Sequence, residues 1–506
     1  MTARHYSMRR FSAILISGAL ASKVLGFARE VMMAHVLGAS LVADGFRAAL
    51  AAVMIPLVFL QNESVPAIMI PMHREAMARD DAPKSLGALT IVIGLIAALV
   101  MLIIQLLGEW WVDAMVGGFT DQGRQLTLHF VRMMSLGMPA SAILNVLAAG
   151  EIAIGRTRLT NIRASVLNVA VLAGIGLLVL TGDAYVLACS FTLAFNALAV
   201  WGLFSMWRRG VIAFGGLTVP MVAETGKDFF RRLRVLLAVP LAEQGNVWVE
   251  RLTASRLTTG AVASLDYARS LTESALLLIS QPVGMAVLSN HAPKNIHAQI
   301  EQLLRPLLAL TLPASAFLLV FAADIVRLVY FRGAFGDEAL LMTSHALRGI
   351  AFGVWAATLG WILIRILNGS GRNGVAALIL VTGYVVNMAF NAVTSALHPA
   401  PDQGMLLLGL GEASRSLVLL VGVALALKER RNILSLIALA GLAALLMAAL
   451  GLLIQGAVAD PLPRLLAGCL ACLFCFAVAV GLLMPTAALS ALNRLRRTFR
   501  VKGELG

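Results

Sequence analysis

Charged residues are scarce in this sequence, and no polar segment is long. Only 13% of its 506 residues are Asp, Glu, Lys or Arg, and 59% are hydrophobic. Soluble globular proteins carry about 25% charged residues, so the composition excludes a soluble protein of this length. It predicts a polytopic membrane protein, because a helix that faces lipid has to be apolar along its length.

Acidic residues are the rarer charged class, with 26 Asp and Glu against 40 Lys and Arg, which gives a formal net charge of +14. Such a balance raises the question of nucleic acid binding. Here the bases lie at the ends of apolar runs and do not form one basic tract with interleaved aromatic residues. Membrane topology explains them better, and no nucleic acid partner is expected.

Cysteine is also scarce. The chain has four, Cys189, Cys469, Cys472 and Cys475, and all lie within apolar runs. The last three contain a C-x-x-C spacing, but no His or acidic residue stands near them to complete a metal site. We therefore expect inert packing residues and predict no metal site and no resident cofactor.

Long apolar runs dominate the chain. Fourteen of them are long enough for a transmembrane helix, which needs about 20 apolar residues to cross the hydrocarbon core. Lys and Arg collect in alternate loops, so the positive-inside rule places both termini in the cytoplasm. The predicted spans cover residues 11–37, 42–70, 86–108, 125–150, 158–181, 184–207, 229–258, 262–290, 303–330, 339–367, 373–397, 403–427, 432–455 and 463–487.

The longest cytoplasmic loop divides these spans into two predicted lobes. Spans 1 to 6 form an N-terminal lobe over residues 1–208, and spans 7 to 12 form a C-terminal lobe over residues 229–428. The linker between the lobes covers residues 209–228. Residues 429–490 hold two extra spans, which are either filler or a lipid-facing groove for an acyl or prenyl chain. Residues 491–506 form a basic cytoplasmic tail.

Two stretches of the chain match each other and relate the lobes. The matched helices are the first and seventh, then the second and eighth, so both repeats enter the membrane from the same side. This predicts a parallel duplication, with two pseudo-symmetric lobes and a polar site at their interface. The matched residues are Glu30 and Glu250, Ala34 and Ala254, Leu37 and Leu257, and, after a two-residue insertion, Asp44 and Asp266, and Arg47 and Arg269.

Charge at membrane depth marks residues 22–47 and 243–273 as the candidate site. Such charge is costly, so it is usually functional and faces the bundle interior or a wet cavity. Arginine binds phosphate through two parallel hydrogen bonds, so the bases predict a phosphate or pyrophosphate site. The cavity bases are Lys23, Arg29, Arg47, Arg251, Arg256 and Arg269, and the cavity acids are Glu30, Asp44, Glu243, Glu250, Asp266 and Glu273.

The acids have more than one interpretation. They hold the empty site together, or they couple it to a cation, for which Asn387 and Asn391 with Glu243 are candidates. A simpler alternative is that the two Asp-x-x-Arg motifs are local i, i+3 pairs and that Arg256 snorkels to the outer interface. Other charged pairs in the spans are interpreted as structural: Asp324 and Arg327, His345 and Arg348, and Glu412 and Arg415.

Several motifs resemble one transporter family. They are Ser22 to Glu30 (SKVLGFARE), Asp44, the run from Ala254 to Ala268, and Arg332 to Phe335 (RGAF), which together are similar to the MurJ/MviN flippases of the MOP exporter superfamily. The resemblance covers nearly the whole chain in the same order. It implies a transporter, not an enzyme, in the bacterial inner membrane. It also implies alternating access that moves an undecaprenyl-pyrophosphate-linked saccharide from the cytoplasmic to the periplasmic leaflet.

The resemblance also bears on individual residues. It implies that Lys23, Arg29, Asp44 and Glu273 occupy positions of functional cavity charges, and that the last two spans hold the prenyl tail. With the cavity bases, it predicts one substrate-binding set and one set of cavity or coupling groups. The first set is Lys23, Arg29, Asp44, Arg47, Arg251, Arg256, Arg269 and Glu273, and the second is Glu30, Glu243, Glu250, Asp266, Asn387 and Asn391.

Three differences from the family pattern bear on the cargo. Lys23 stands where the family has Arg, the base Arg269 is displaced by one position, and residues 52–56 lack the arginine of a second-span motif. Since Lys does not replace a bidentate Arg, these differences favour a lipid-linked precursor of another envelope polymer or exopolysaccharide, with lipid II as the alternative. The expected partners are this glycan, the phospholipid bilayer and, as candidates, glycan-synthesis enzymes.

Two other functions fit less well. A cation-coupled drug antiporter of the same superfamily should have an acid-dominated, aromatic cavity, and a membrane glycosyltransferase needs a sizeable extramembrane domain. The predicted cavity has as many bases as acids, and no predicted loop is large. The driving force is left open between the membrane potential and a coupling cation, sodium or a proton.

Overall fold

The computed structural model describes residues 8–61, 64–273 and 296–486, and these ranges contain helices and no strands, which confirms the predicted all-α class. The predicted tail, residues 491–506, lies outside the described residues. The helices are α1 Met8–Leu37, α2 Leu41–Gln61, α3 Ser64–Met77, α4 Ala82–Val116, α5 Asp121–Ser135, α6 Met138–Ala153, α7 Arg158–Thr181, α8 Tyr185–Arg208, α9 Val219–Leu233, α10 Ala238–Ser255, α11 261–273, α12 Ile296–Val320, α13 Ala322–Tyr330, α14 Asp337–Gly369, α15 Asn373–Leu397, α16 Pro401–Ala426, α17 Arg430–Ala457 and α18 Pro461–Leu483.

The described helices include ten segments that are long and apolar enough to cross a membrane, counting α2 and α3 as one. The number rises to eleven if α5 and α6, bent by 45°, form one span. Helix α10 is too polar for this count, because it carries Glu243, Glu250 and Arg251. The predicted eighth span, 262–290, lies mostly outside the described residues. The class is therefore confirmed, while the count of fourteen and the cytoplasmic termini stay predictions.

Two compact units divide the chain. The first unit contains the described residues of Met1–Ala263 with Arg332–Phe335, and the second unit contains those of Ser264–Phe331 and Gly336–Gly506. Helix α10 belongs to the first unit because it packs against α2 and α4. The predicted lobes follow the order of the spans and do not coincide with these units at α10. The duplication itself stays a prediction.

Local sequence signals set several helix ends in the first unit. Helix α9 begins after Thr218, whose side chain accepts a hydrogen bond from the Met221 backbone at 3.4 Å, with a proline in the first turn. This is the usual chemistry of a helix start. Helix α7 ends at Gly182, which adopts the left-handed conformation at φ 72°, as a terminating glycine does.

The predicted linker is packed against the first unit. The Ala213 backbone donates to the Pro83 carbonyl at 2.9 Å, and Gly87 is needed there because an added Cβ would lie 2.1 Å from the Ala213 oxygen. Helix α9, which takes up the second half of the linker, buries Phe229 and Leu233 and presents charges on its other face. An amphipathic helix of this kind suits the membrane interface.

Ion pairs hold α9 to the end of α3. Arg232 donates to both carboxylate oxygens of Glu75, at 3.1 and 3.2 Å, and also pairs with Asp228 at 3.0 Å. The hydrogen bonds to Glu75 raise the pKa of Arg232. An open cavity of about 550 Å³ lies between α9 and the ends of α3 and α4, and its charges have both signs.

Glycines bring α14 and α16 into close contact in the second unit. A Cβ on Gly349 would lie 2.4 Å from the Leu406 oxygen, and one on Gly409 would lie 2.4 Å from the Ala346 oxygen. Small residues allow membrane helices to approach closely, since packing replaces the hydrophobic effect within lipid. This contact fixes the backbone of α16, which carries charged residues of the candidate site.

The two extra helices, α17 and α18, pack against α12. Arg464 at the start of α18 donates to Asp324 of α13 at 3.0 Å. Asp324 therefore has a partner on another helix, which the predicted local pair with Arg327 did not include. Cys475 is buried and packs in a cluster with Phe321 and Met447, whereas Cys469 is exposed.

Candidate functional site

The first unit contains a cluster of two arginines that share one carboxylate. Glu30 on α1 accepts from Arg47 on α2 at 2.5 Å, between Nη2 and Oε2, and from Arg29 at 3.1 Å, between Nε and Oε1. The side chains of Glu30 and Arg47 are both 5% exposed, but that of Arg29 is 20% exposed. Arg29 is therefore the member of the cluster that is most open to a further anion.

Asp44 lies at a helix start. Its carboxylate is fully buried and accepts from the backbone N–H groups of Gly260 at 2.5 Å and Ala263 at 2.7 Å. These amides belong to the turn before α11 and to its first turn, where a carboxylate satisfies unpaired donors and complements the helix dipole. Asp44 therefore holds the beginning of α11, and these backbone contacts add to its electrostatic interaction with Arg47.

Close contacts join the turns around Asp44. Gly38 has φ 59°, and an added Cβ would lie 2.2 Å from the Ala334 oxygen. The Ala334 backbone donates to the His35 carbonyl at 2.8 Å. The Gly118 backbone donates to the Ser255 hydroxyl at 3.3 Å. By the predicted topology these turns lie on the periplasmic side, so the contacts close that end of the first unit.

Other predicted residues of the first unit differ in exposure. Lys23 on α1 is exposed, and so is Arg256 in the turn after α10. Glu250 and Arg251 are buried on α10, where Arg251 donates to the Val262 carbonyl at 3.5 Å. Glu243 is half-buried at the other end of α10. The structure thus joins Arg29, Arg47 and Glu30 in one cluster, and it places Arg256 at a surface turn.

The second unit contains a similar cluster around Glu412 of α16. Arg269 on α11 donates to Glu412 through Nε to Oε1 at 3.1 Å and through Nη2 to Oε2 at 3.4 Å. Its Nη1 donates to Asp266 at 3.3 Å, which confirms that predicted local pair. Arg415 approaches the same Glu412 at 3.6 Å, and its guanidinium lies 5.3 Å from the centre of the Tyr384 ring.

Sequence reasoning missed the part played by Glu412. Its i, i+3 spacing from Arg415 predicted a structural pair, and that pair is present. The same spacing in an apolar span had marked Asp266 and Arg269 as a site, so the signal was available for Glu412 as well. Glu273, the last described residue of α11, is exposed.

Asn387 and Asn391 lie side by side in α15. Both are fully buried, and Asn391 Nδ2 donates to the side-chain oxygen Oδ1 of Asn387 at 3.1 Å. Gly411 of α16 leaves the space for them, because an added Cβ would lie 2.6 Å and 2.7 Å from their two side-chain oxygens. Glu243, their predicted partner, belongs to the first unit. Among the described residues, no group of three or more His, Cys, Asp or Glu has the placement of a metal site.

Membrane-length helices with arginine–carboxylate clusters define a polytopic membrane protein, and known structures share the fold. A lipid II flippase MurJ in an inward closed conformation aligns with 92% of this chain and 99% of its own, with a TM-score of 0.78 and 18% identity. An inward-facing multidrug resistance MATE transporter of the MOP superfamily aligns with 82% of this chain and 95% of its own, with a TM-score of 0.57 and 14% identity.

The sequence comparisons identify the family. The family model described as lipid II flippase MurJ matches residues 33–461, so the chain belongs to the MurJ family of lipid flippases. The probable lipid II flippase MurJ of Rhizobium tropici is 28% identical over 388 residues, which are 70% of this chain and 69% of that protein. The lipid II flippase MurJ of Burkholderia cenocepacia is 26% identical over 396 residues, 71% and 72% of the two chains. The predicted resemblance is confirmed, and the chain is a multi-span transporter of a lipid-linked substrate, not an enzyme.

Proposed function

We propose that this protein moves an undecaprenyl-pyrophosphate-linked saccharide from the cytoplasmic to the periplasmic leaflet of the bacterial inner membrane by alternating access. The observation that carries the proposal is the cluster of Arg29, Glu30 and Arg47. Guanidinium groups bind phosphate oxygens bidentately, and the pyrophosphate is the part of such a lipid that cannot cross hydrocarbon unaided. A buried carboxylate that holds two arginines in place is what a site for this group needs when it is empty.

Arg29 is the residue of this cluster that meets the cargo. It is the more exposed arginine, and Glu30 leaves part of its guanidinium available. Arg47 is more deeply buried and acts by fixing Glu30. Lys23 is exposed on the same helix and adds a second, more flexible positive charge.

Asp44 serves as part of the periplasmic closure. Its bonds to Gly260 and Ala263, with the contact between Gly38 and Ala334, have to break for that end of the first unit to open. Because these are a few short contacts at turns, their release is within the range of a transport cycle.

The prenyl chain stays in lipid, and α17 and α18 provide its groove. Both helices present exposed leucines along their length, such as Leu445 on α17 and Leu470 on α18. A polyprenyl chain needs such an apolar surface and no polar contact, which fits the predicted groove over residues 429–490.

The transport step draws on the membrane potential or on a coupling cation. Moving one charge through the potential is worth about 2.3 kcal/mol per 100 mV. Asn387 and Asn391 are candidates for a cation, since their buried carbonyl oxygens lie next to each other against Gly411.

The saccharide is that of an envelope polymer or exopolysaccharide other than peptidoglycan. The exposed Lys23, at a position where the resemblance implies an arginine, supports this choice. Lipid II is the second candidate, favoured by the names of the relatives from Rhizobium tropici and Burkholderia cenocepacia. The test is expression of this chain in a bacterium depleted of its own lipid II flippase. We expect no rescue despite normal membrane levels, and rescue would establish lipid II as the cargo.

A further inference from the structure

Arg269 and Arg415 form a two-arginine site in the second unit, and Glu412 occupies it. The carboxylate of Glu412 takes the Nε and Nη2 edge of Arg269 with one oxygen on each nitrogen, at 3.1 and 3.4 Å. A phosphate group binds a guanidinium through the same pair of donors. Glu412 therefore stands where a phosphate oxygen pair would lie.

The summed charge of this cluster supports the interpretation of Glu412 as an anion that can be displaced. With Glu412 present, the four side chains of Arg269, Arg415, Glu412 and Asp266 sum to zero. Without it they sum to +1. Arg269 then keeps its contact with Asp266, and its Nε and Nη2 edge faces the vacated position together with Arg415. The cluster therefore attracts an anion strongly only after the Glu412 side chain has turned away.

The cluster is accessible and its frame is fixed. The exposed fractions of the side chains are 13% for Glu412, 22% for Arg269 and 31% for Arg415. The backbone of α16 is held by the glycine contacts with α14, and Gly383 leaves the Arg415 stem room, because an added Cβ would lie 3.3 Å from its Cγ. Because this frame is fixed, the Glu412 side chain is the part of the cluster that has to move for the site to open.

A purely structural ion pair explains this arrangement less well. Buried ion pairs contribute little net stability, and apolar side chains of the same size usually serve as well or better. Here four charged groups of α11 and α16 meet, and the arrangement resembles that of Glu30, which is shared by Arg29 and Arg47 in the first unit. Both units thus have one carboxylate shared by two arginines.

We propose that Arg415 and Arg269 together bind the phosphate of the cargo. Glu412 is the anion of the empty site: the phosphate displaces it from the two arginines, and Glu412 pairs with them again when the cargo leaves. The identity of the cargo rests on the proposed function, but the binding of phosphate by this cluster does not. Arg415 and Glu412 are outside the predicted set of site residues, and the inference assigns a role to both.

The test uses the full chain in lipid nanodiscs, with inorganic pyrophosphate as the probe and its affinity as the readout. Glu412→Gln keeps the shape of the side chain and removes the competing charge, so its affinity for pyrophosphate should rise at least about fivefold, the equivalent of about 1 kcal/mol. Arg415→Gln should weaken binding by a similar factor. A residue that only supported the fold would not tighten binding when substituted.

Glu301 and Arg305 provide matched controls. They form a partly exposed i, i+4 pair on α12 of the same unit, with 3.2 Å between Arg305 Nη2 and Glu301 Oε2, and Arg305 also donates to the Leu483 carbonyl at 2.7 Å. Glu301→Gln and Arg305→Gln should leave the pyrophosphate affinity within about twofold of the unsubstituted protein, because neither residue belongs to the cluster. If Glu412→Gln unfolds in detergent, Glu412→Asp replaces it, since the shorter side chain keeps the charge but loses the two-point contact and should also bind pyrophosphate more tightly.

The outcomes separate this inference from the proposed function. Tighter binding by Glu412→Gln in a protein that moves no polyprenyl-linked saccharide would support the anion site and contradict the flippase. Unchanged or weaker binding by both Glu412 variants would overturn the inference, whatever the transport result. Absence of pyrophosphate binding in the unsubstituted protein and in Glu412→Gln would overturn it too.

Discussion

Substitution of Arg47 by alanine should lower both the stability of the first unit and the flipping activity. Arg47→Ala leaves Glu30, whose side chain is 5% exposed, with Arg29 as its remaining arginine in the cluster. Breaking a buried ion pair by removing one partner costs about 3 to 5 kcal/mol, and since Glu30 keeps Arg29, we expect the lower end, about 3 kcal/mol. Thermal unfolding in detergent should show the loss, and flipping should fall to background.

A charge-neutral double variant tests the reasoning. Glu30→Gln/Arg47→Gln removes one buried charge of each sign, while Arg29 is partly exposed and Asp44 keeps its backbone N–H donors. Stability should therefore return to within about 1 kcal/mol of the original, in line with the replacement of a buried pair by neutral groups. Flipping should stay absent, because Arg29 then lacks the carboxylate that orients it. Full flipping by the double variant would refute the role of this cluster in transport, and an unaltered melting temperature in Arg47→Ala would refute the energetic argument.

Three further predictions concern the turns and the interfacial helix. Asp44→Asn should lower the free energy of unfolding by about 1 kcal/mol, as the loss of a charged helix cap does. It should also change the flipping rate, measured with the protein reconstituted into vesicles, and an unchanged rate would contradict its role in the closure. Gly38→Ala should lower the melting temperature more than Gly182→Ala. Both glycines have φ near 60–70°, but only at Gly38 would an added Cβ have a neighbour within 4 Å. Equal losses would contradict the close contact between Gly38 and Ala334. Arg232→Gln should cost at most about 1 kcal/mol and leave flipping within about twofold, since its pair with Glu75 is half-exposed, and loss of flipping would give α9 a larger role.

Side-chain pattern predicted the class of the protein and part of the site. Apolar runs predicted the helices, because lipid leaves few alternatives to an apolar helix. The charges of Glu30 and Arg47 predicted two members of a cavity, but not that they touch, since their contact joins two helices across 17 positions in the chain.

Two residues show which contacts were not predictable from the sequence. Asp44 binds backbone amides, and backbone donors have no signature in the sequence, so these two contacts could not be predicted from its charge. Glu412 has a sufficient local partner in Arg415, and only the fold brings Arg269 to it from 143 positions away. Local pairing therefore concealed a long-range cluster. The repeated acid-x-x-Arg motif marks Glu412 and Arg415 as charges within an apolar span, but it does not predict their contact with Arg269.

The most direct test of the account is reconstitution of the purified chain into vesicles that contain an undecaprenyl-pyrophosphate-linked oligosaccharide. The measured quantity is the fraction of headgroups that reach the opposite leaflet, with Arg29→Ala as the inactive control. The account predicts headgroup transfer by the unsubstituted protein and background transfer by Arg29→Ala at equal protein levels. Equal transfer by both proteins, or none by the unsubstituted protein, would contradict it.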